Sequence, residues 1–336
     1  MIPDSTHRSN VEAAQTHLGF RGVGIGLMVL LGACTTPSTT SNAPLQPEIA
    51  SGFTRKADVV TQKFAVAAAN PLATQAGFDI LKAGGSAVDA AIAVQMVLGL
   101  VEPQSSGIGG GAFLLHSSAT EGAVTGAGAQ TKVQAFDGRE TAPAAVTEGL
   151  LLNTEGKPLA FHAAVVGGRS VGTPGVLRML AQAHAQHGKL PWAQLFEPAI
   201  TLAMQGFAIS PRLHAQLKAD AYLRLDPTAR AYFYQANGEP NAVGHVLRNP
   251  ELAAVLQRIA TEGVQAFYSG EVAEAVVRKV QQHPSNPGRL ALSDLANYQA
   301  KERMPVCFDY ATASRVYRVC GFPPPSSGAI AIGQIL

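Results

Sequence analysis

Apolar positions along this chain recur at two spacings, and the switch between them marks its elements. The stretch LATQAGFDILKA carries apolar residues at helical spacing. Asn70 before it suits an N-cap, Pro71 suits the first helical position, and Gly84 and Gly85 stop the helix. Ser86 opens a second helix, AVDAAIAVQMVLGLV, which is apolar almost all round and therefore predicted to be buried on several sides. Ahead of both, FAVAAA at residues 64–69 predicts a short apolar strand. After them, EPQSSGIGGG leads to a strand, AFLLH, and a further strand, KVQAFDG, runs into RETAP.

The second half predicts mainly helices. TPGVLRMLAQAHAQHG and PWAQLFEPAITLAMQGF are amphipathic and each is ended by glycine, and NPELAAVLQRIATEG and GEVAEAVVRKVQQH follow. LSDLANY then leads to PVCFDYATASRVYRVCGF, whose Val-, Phe- and Tyr-rich flanks around a polar turn predict a hairpin. Pro323, Pro324 and Pro325 exclude a helix interior or a central strand. Ser326 or Ser327 is then the candidate N-cap of a last helix, with Ile330, Ile332, Ile335 and Leu336 facing the core. That helix has neither a closing glycine nor a basic last turn, so two readings stand: a short helix docked on the core, or a fragment. The order strands, helices, strands predicts a layered α/β protein, and no linker demands two domains.

Composition narrows the function classes. Among 336 residues, 25 Lys and Arg stand against 23 Asp and Glu, and no basic cluster is present, which argues against a nucleic-acid partner. Arg8 and Arg21 precede GVGIGLMVLLGA at residues 22–33, a run too short to span a bilayer but of the length of a signal peptide's apolar region. It ends in LLGAC, which resembles a bacterial lipoprotein signal with Cys34 as the lipid-bearing first mature residue; a plain signal peptide with a chance cysteine is the alternative. The expected organisation is a leader over 1–33, a polar tether over 34–60 and a globular domain over 61–336. The expected location is outside the cytoplasm, in the periplasm, held at a membrane surface by a lipid anchor alone. Export permits a disulfide, and the hairpin sets Cys307 opposite Cys320. Such a bond would contribute about 3 kcal/mol in the chain-entropy model; two reduced buried cysteines are the alternative.

Few local motifs carry chemistry. GIGGGA at residues 107–112 formally fits G-x-G-x-x-A, but a helix precedes it and a strand follows, the reverse of a dinucleotide-binding turn. Its glycines are read instead as freeing the backbone or admitting another segment. His184 and His187 share one helix face, yet no carboxylate or cysteine joins them at metal-site spacing, so a surface pair is expected. His116, His162 and His245 are isolated in the sequence. Arg139 follows a strand and a turn glycine, a position from which its planar fork could grip a carboxylate. A surface or structural arginine is the alternative.

Taken in order, the segment from NPLATQAGFDILKAGG through SSGIGGGAFLL, then GRETAP, VGTPGVLRML, HGKLPWAQLFEPAITLAMQGF, AFYSGEVAEAVV and PPPSSG, resembles the γ-glutamyltransferases, also called glutathione hydrolases, from about Ala65 to Leu336. The resemblance implies an N-terminal-nucleophile hydrolase fold, an α-β-β-α sandwich, incomplete here. It implies a precursor that cleaves itself and a small-subunit threonine whose hydroxyl attacks the γ-glutamyl amide. It implies a γ-glutamyl-enzyme resolved by water or an amino acid, with no metal or organic cofactor. Arg139 would bind the donor's α-carboxylate and Glu140 would orient it, while Ser105, Ser106 and the glycines at 109–111 would be structural. No threonine of this chain matches the nucleophile, so the chain is expected to end before it, to be inactive alone and to expose sheet edges meant for the small subunit. The expected partners are glutathione and other γ-glutamyl compounds and the small subunit of the same precursor. A related glutaryl or cephalosporin acylase, or a non-catalytic lipoprotein that binds γ-glutamyl ligands, are the competing readings.

Overall fold

The computed structural model describes residues 58–119 and 131–336; the leader, Cys34 and nearly all of the tether lie outside the described residues. Helices α1 (Pro71–Lys82) and α2 (Ala87–Val101) begin where their caps predict. Asn70 Oδ1 accepts the Leu72 amide at 3.0 Å. Ser86 and Asp89 form a reciprocal capping box, with bonds of 3.1 and 2.8 Å. Ile92, Ala93, Met96 and Val97 of α2 are almost wholly buried. Sequestering each larger one contributes about 1.5–3 kcal/mol, which makes this helix the centre of the core.

Strands β1 (Ala112–Ala119) and β2 (Thr131–Gly138) pair antiparallel, with Leu114 opposite Phe136. Among the described residues, these α-helices then follow: α3 (Phe161–Val165), α4 (Val176–His187), α5 (Glu197–Gln205), α6 (Pro211–Ala219), α7 (Pro227–Phe233), α8 (Pro250–Glu262), α9 (Gln265–Tyr268), α10 (Gly270–Gln281) and α11 (Leu292–Asn297). Three of them repeat the signal seen at α1, with Ser210, Asp226 and Asn249 capping helices that open on proline. Short strands β3 (Phe207–Ala208) and β4 (Val246–Leu247) pair within this region. Strand β5 (Lys301–Arg303) joins the free side of β2, so the main sheet has the order β1-β2-β5. Helix α4 lies on β2 at close range: a Cβ at Gly138 would sit 2.5 Å from Met179 Cβ. Strands β6 (Val306–Ala311) and β7 (Val316–Gly321) form the hairpin, with Cys307 opposite Cys320, and α12 (Gly328–Ile335) follows.

Two expectations about elements fail. Residues 64–69 form no strand, although Phe64, Val66 and Ala68 are half-buried and Ala65, Ala67 and Ala69 exposed, which is a strand's period. The segment packs side-on against α1: a Cβ at Gly77 would lie 2.9 Å from Val66, and the Phe64 and Phe78 rings are 5.3 Å apart. No described strand offers it a ladder. The isoleucines of α12 do not face a core either. Ile330, Ile332 and Leu336 are about half exposed and Ile335 is 82% exposed. The helix docks on the hairpin through its small residues, Ala329 over Gly321 and Gly333 over Phe308, and this turns the large side chains outward. Ser327 holds the N-cap position without a capping bond, while Ser326 Oγ accepts the Gly328 amide at 3.3 Å.

Candidate functional site

Strand β2 delivers Arg139 to an open cleft, and its neighbours fix the backbone there. Asp137 is 5% exposed. Its Oδ1 accepts the Arg139 amide at 2.9 Å and its Oδ2 accepts Arg303 Nε of β5 at 2.5 Å. On the other side, Tyr298 donates its hydroxyl to the Arg139 carbonyl at 2.7 Å. That hydroxyl passes over Gly175, where a Cβ would lie only 2.0 Å from it, so no larger residue fits. Burial first, and the nearby Asp137 and Glu140 charges second, push the Tyr298 phenol up to about 12. It therefore remains a hydrogen-bond donor throughout the neutral range.

The Arg139 side chain is exposed, and among the described residues its guanidinium makes no ion pair or hydrogen bond. Its carbon lies 6.0 Å from the centre of the Phe113 ring. The cleft around it has a volume of about 490 Å³ and is also lined by Gly109, Thr141, Arg169 and Ser170. Glu140 sits against the glycine turn: a Cβ at Gly111 would be 2.7 Å from its Oε2. No hydrogen bond joins it to the Arg139 guanidinium. The Gly110 carbonyl accepts the amides of Gly175 and Val176 at 2.9 and 3.2 Å, tying this turn to the start of α4. Thr141 and Thr173 exchange backbone bonds and close the cleft floor to the same loop.

The serines behind the turn belong to a different constellation. Glu102, 2% exposed, accepts from Asn70 Nδ2 at 2.9 Å and Gln104 Nε2 at 2.6 Å and is paired with Arg212. Arg212 also reaches Ser105 Oγ at 3.2 Å, and Gln95 donates to Ser106 Oγ at 2.8 Å. Asp89 anchors a second loop, its Oδ2 accepting the amides of Lys189 and Leu190 at 2.9 and 3.1 Å.

The two helix-face histidines part company. His184 Nε2 lies 2.9 Å from the Leu190 carbonyl oxygen, whereas His187 stacks at 3.8 Å on His116 from β1. Burial and the neighbouring His187 lower the His116 pKa. Neither the surface pair nor the isolation of His116 describes this arrangement, because the α4–β1 packing brings together rings far apart in the chain. His162 stacks on Tyr222. Among the described residues no three metal-ligating side chains converge. Cys307 and Cys320 face each other across β6 and β7, bonded at 2.17 Å.

Sequence reasoning missed the residues that hold Arg139. Asp137 stands two positions before it in the same motif and could have been read as a turn carboxylate. Tyr298 is 159 positions away and gave no local signal. The arrangement as a whole presents a planar cation that no described residue neutralises, its backbone clamped in a cleft, which suits capture of a carboxylate.

Comparison with known proteins gives a consistent picture. A family model described as Gamma-glutamyltranspeptidase matches residues 73–336. Glutathione hydrolase 2 of Arabidopsis thaliana is 40% identical over 279 residues, covering 83% of this chain and 44% of that protein. The glutathione hydrolase proenzyme of Escherichia coli is 36% identical over 317 residues, covering 92% of this chain and 50% of that protein. The structure of the Helicobacter pylori gamma-glutamyltranspeptidase superposes with a TM-score of 0.73 at 30% identity, covering 83% of this chain and 75% of that one. The chain spans about half the length of the curated relatives it matches.

Proposed function

Because the chain belongs to the gamma-glutamyltranspeptidase family, we propose that it forms the large-subunit part of an enzyme that cleaves the γ-glutamyl amide of glutathione and related compounds. Its layered α/β architecture is that of the N-terminal-nucleophile hydrolases, the fold of its structural neighbours. In this reading Arg139 grips the donor's α-carboxylate with two parallel N–H···O bonds. Binding energy so gained far from the scissile bond orients the amide carbonyl for attack. The attacking group is the threonine that begins the small subunit. Its hydroxyl proton passes to its own α-amine as the oxygen bonds to the γ-carbonyl carbon, and the leaving amine takes up a proton. Water or an amino acid then releases the γ-glutamyl group. The small subunit comes from the same precursor, in keeping with relatives named as proenzymes.

The single observation that carries this reading is the Arg139 guanidinium, unpaired among the described residues, in a cleft whose neighbours lock its backbone. The complete precursor product, assayed with γ-glutamyl-p-nitroanilide and glutaryl-p-nitroanilide, tests it. Turnover of the first and not the second is expected, since both carry the terminal carboxylate that Arg139 grips and only the first carries the α-ammonium. Preference for the glutaryl donor would make the enzyme an acylase instead. We further propose that Cys34 carries a lipid and holds the enzyme at a periplasmic membrane surface. Cys34→Ser should move it from the membrane fraction to the soluble one, and a wild type already fully soluble would refute the anchor.

A further inference from the structure

We propose that the cleft adjoining Arg139 is a second anion subsite, built by Arg169 and Arg289, which selects γ-glutamyl donors bearing a second carboxylate, such as the C-terminal carboxylate of a γ-glutamyl peptide. This rests on the reading of Arg139 as the donor-carboxylate residue. The two clefts are contiguous, since Val146, Leu150 and Arg169 line both. The second has a volume of about 600 Å³, and among its described lining residues none is acidic.

The second cleft is a constructed feature. Asn286, 7% exposed, knots two loops together. Its Oδ1 accepts Arg169 Nε at 2.5 Å, and its Nδ2 donates to the carbonyls of Ala163 and Val166 at 3.2 and 2.6 Å. Its carbonyl accepts the amides of Gly168 and Arg169 at 2.8 and 3.1 Å. The loops touch because Gly168 and Gly288 lack side chains: a Cβ at either would lie 2.0 Å from a carbonyl oxygen opposite. Arg169 and Arg289, each next in the chain to one of these glycines, both line the cleft.

The two arginines differ in their remaining capacity. Arg169 Nη1 donates to the Leu150 carbonyl at 2.8 Å, which orients the guanidinium and leaves Nη2 without a partner among the described residues. Arg289 is exposed and has no hydrogen bond or ion pair among them. A fixed fork beside a free one suits a carboxylate that enters from solvent. An extended tripeptide reaches about 10 Å, a length suited to bridging adjoining clefts with a carboxylate at each end.

The test uses the complete processed enzyme with three donors: glutathione, its glycine ethyl ester, and γ-glutamyl-p-nitroanilide. Only the first carries the second carboxylate. Arg289→Ala should raise KM for glutathione about tenfold, the loss expected for one charge-assisted contact, and Arg289→Glu should raise it further. KM for the ester and the nitroanilide should not change with Arg289→Ala. An Arg289→Glu enzyme whose KM values for glutathione and the ester stay in the wild-type ratio overturns the subsite while leaving the γ-glutamyl reading intact. A wild-type enzyme that does not turn over γ-glutamyl-p-nitroanilide overturns that reading, and the subsite with it.

Discussion

Two loops leave the core of this protein side by side, and they use their charges in opposite ways. The loop after α2 turns Glu102 inward, where Asn70, Gln104 and Arg212 meet its carboxylate. The loop after β2 turns Arg139 outward with its guanidinium unpaired among the described residues, while Asp137 and Tyr298 hold only its backbone. The first loop is closed and structural. The second is held just as firmly yet keeps its cation available. Rigidity without neutralisation is what a carboxylate-binding position requires, because a prior internal salt bridge would compete with the ligand.

The largest effect should come from the closed loop. Glu102→Ala strands a partly buried guanidinium and two amide groups, and should cost about 3–5 kcal/mol of stability. Thermal unfolding should fall by roughly 10 °C. A shift near zero would mean that the loop is not closed by this carboxylate. Next, Arg139→Ala in the complete enzyme should raise the donor KM about 100-fold, or ~2.7 kcal/mol, with a smaller change in kcat. Arg139→Lys should recover part of this, because charge returns without the fork. An unchanged KM in Arg139→Ala would remove the contrast between the two loops.

An intermediate effect is expected in alkali. Burial raises the phenols of Tyr232 and Tyr298 to about 12 and also raises that of Tyr268. The folded state thus holds these protons more tightly than the unfolded chain, whose tyrosines titrate near pH ~10. Their contribution is complete below that pH and is lost as pH rises through about 12. Denaturant midpoints measured from pH 8 upward should be flat at first and then fall. A fall that begins well below the unfolded phenol range would point to other groups. The smallest effect belongs to Tyr298→Phe. It removes one hydrogen bond to the Arg139 carbonyl, about 1 kcal/mol of stability, and should raise the donor KM a few-fold. If KM rises as far as in Arg139→Ala, the hydroxyl does more than position the backbone.

Much of the helical framework was legible because its signals are local. Asn70 with Pro71, and Ser86 with Asp89, lie within a few residues of the amides they cap. The Cys307–Cys320 pairing was legible for the same reason, since a short turn sets the register. Elements that depend on distant neighbours were not. Residues 64–69 have a strand's alternation but no described ladder partner, and the three-residue β5 is too short to announce itself. The apolar count of α12 suggested a buried isoleucine face, but the small face of Ala329 and Gly333 approaches the hairpin more closely.

The same division runs through the candidate site. Sequence alone determined which residue carries the cation, that it follows a strand and a turn glycine, and which glycines surround the turn. Only the tertiary structure decided that Arg139 is left unpaired among the described residues, that Tyr298 and Asp137 clamp its backbone, and that Arg169 and Arg289 both line the adjoining cleft. Residue type and neighbouring spacing set intrinsic chemistry and local hydrogen bonding. Whether a charge is neutralised depends on groups that are distant in the chain and adjacent only after the loops have packed.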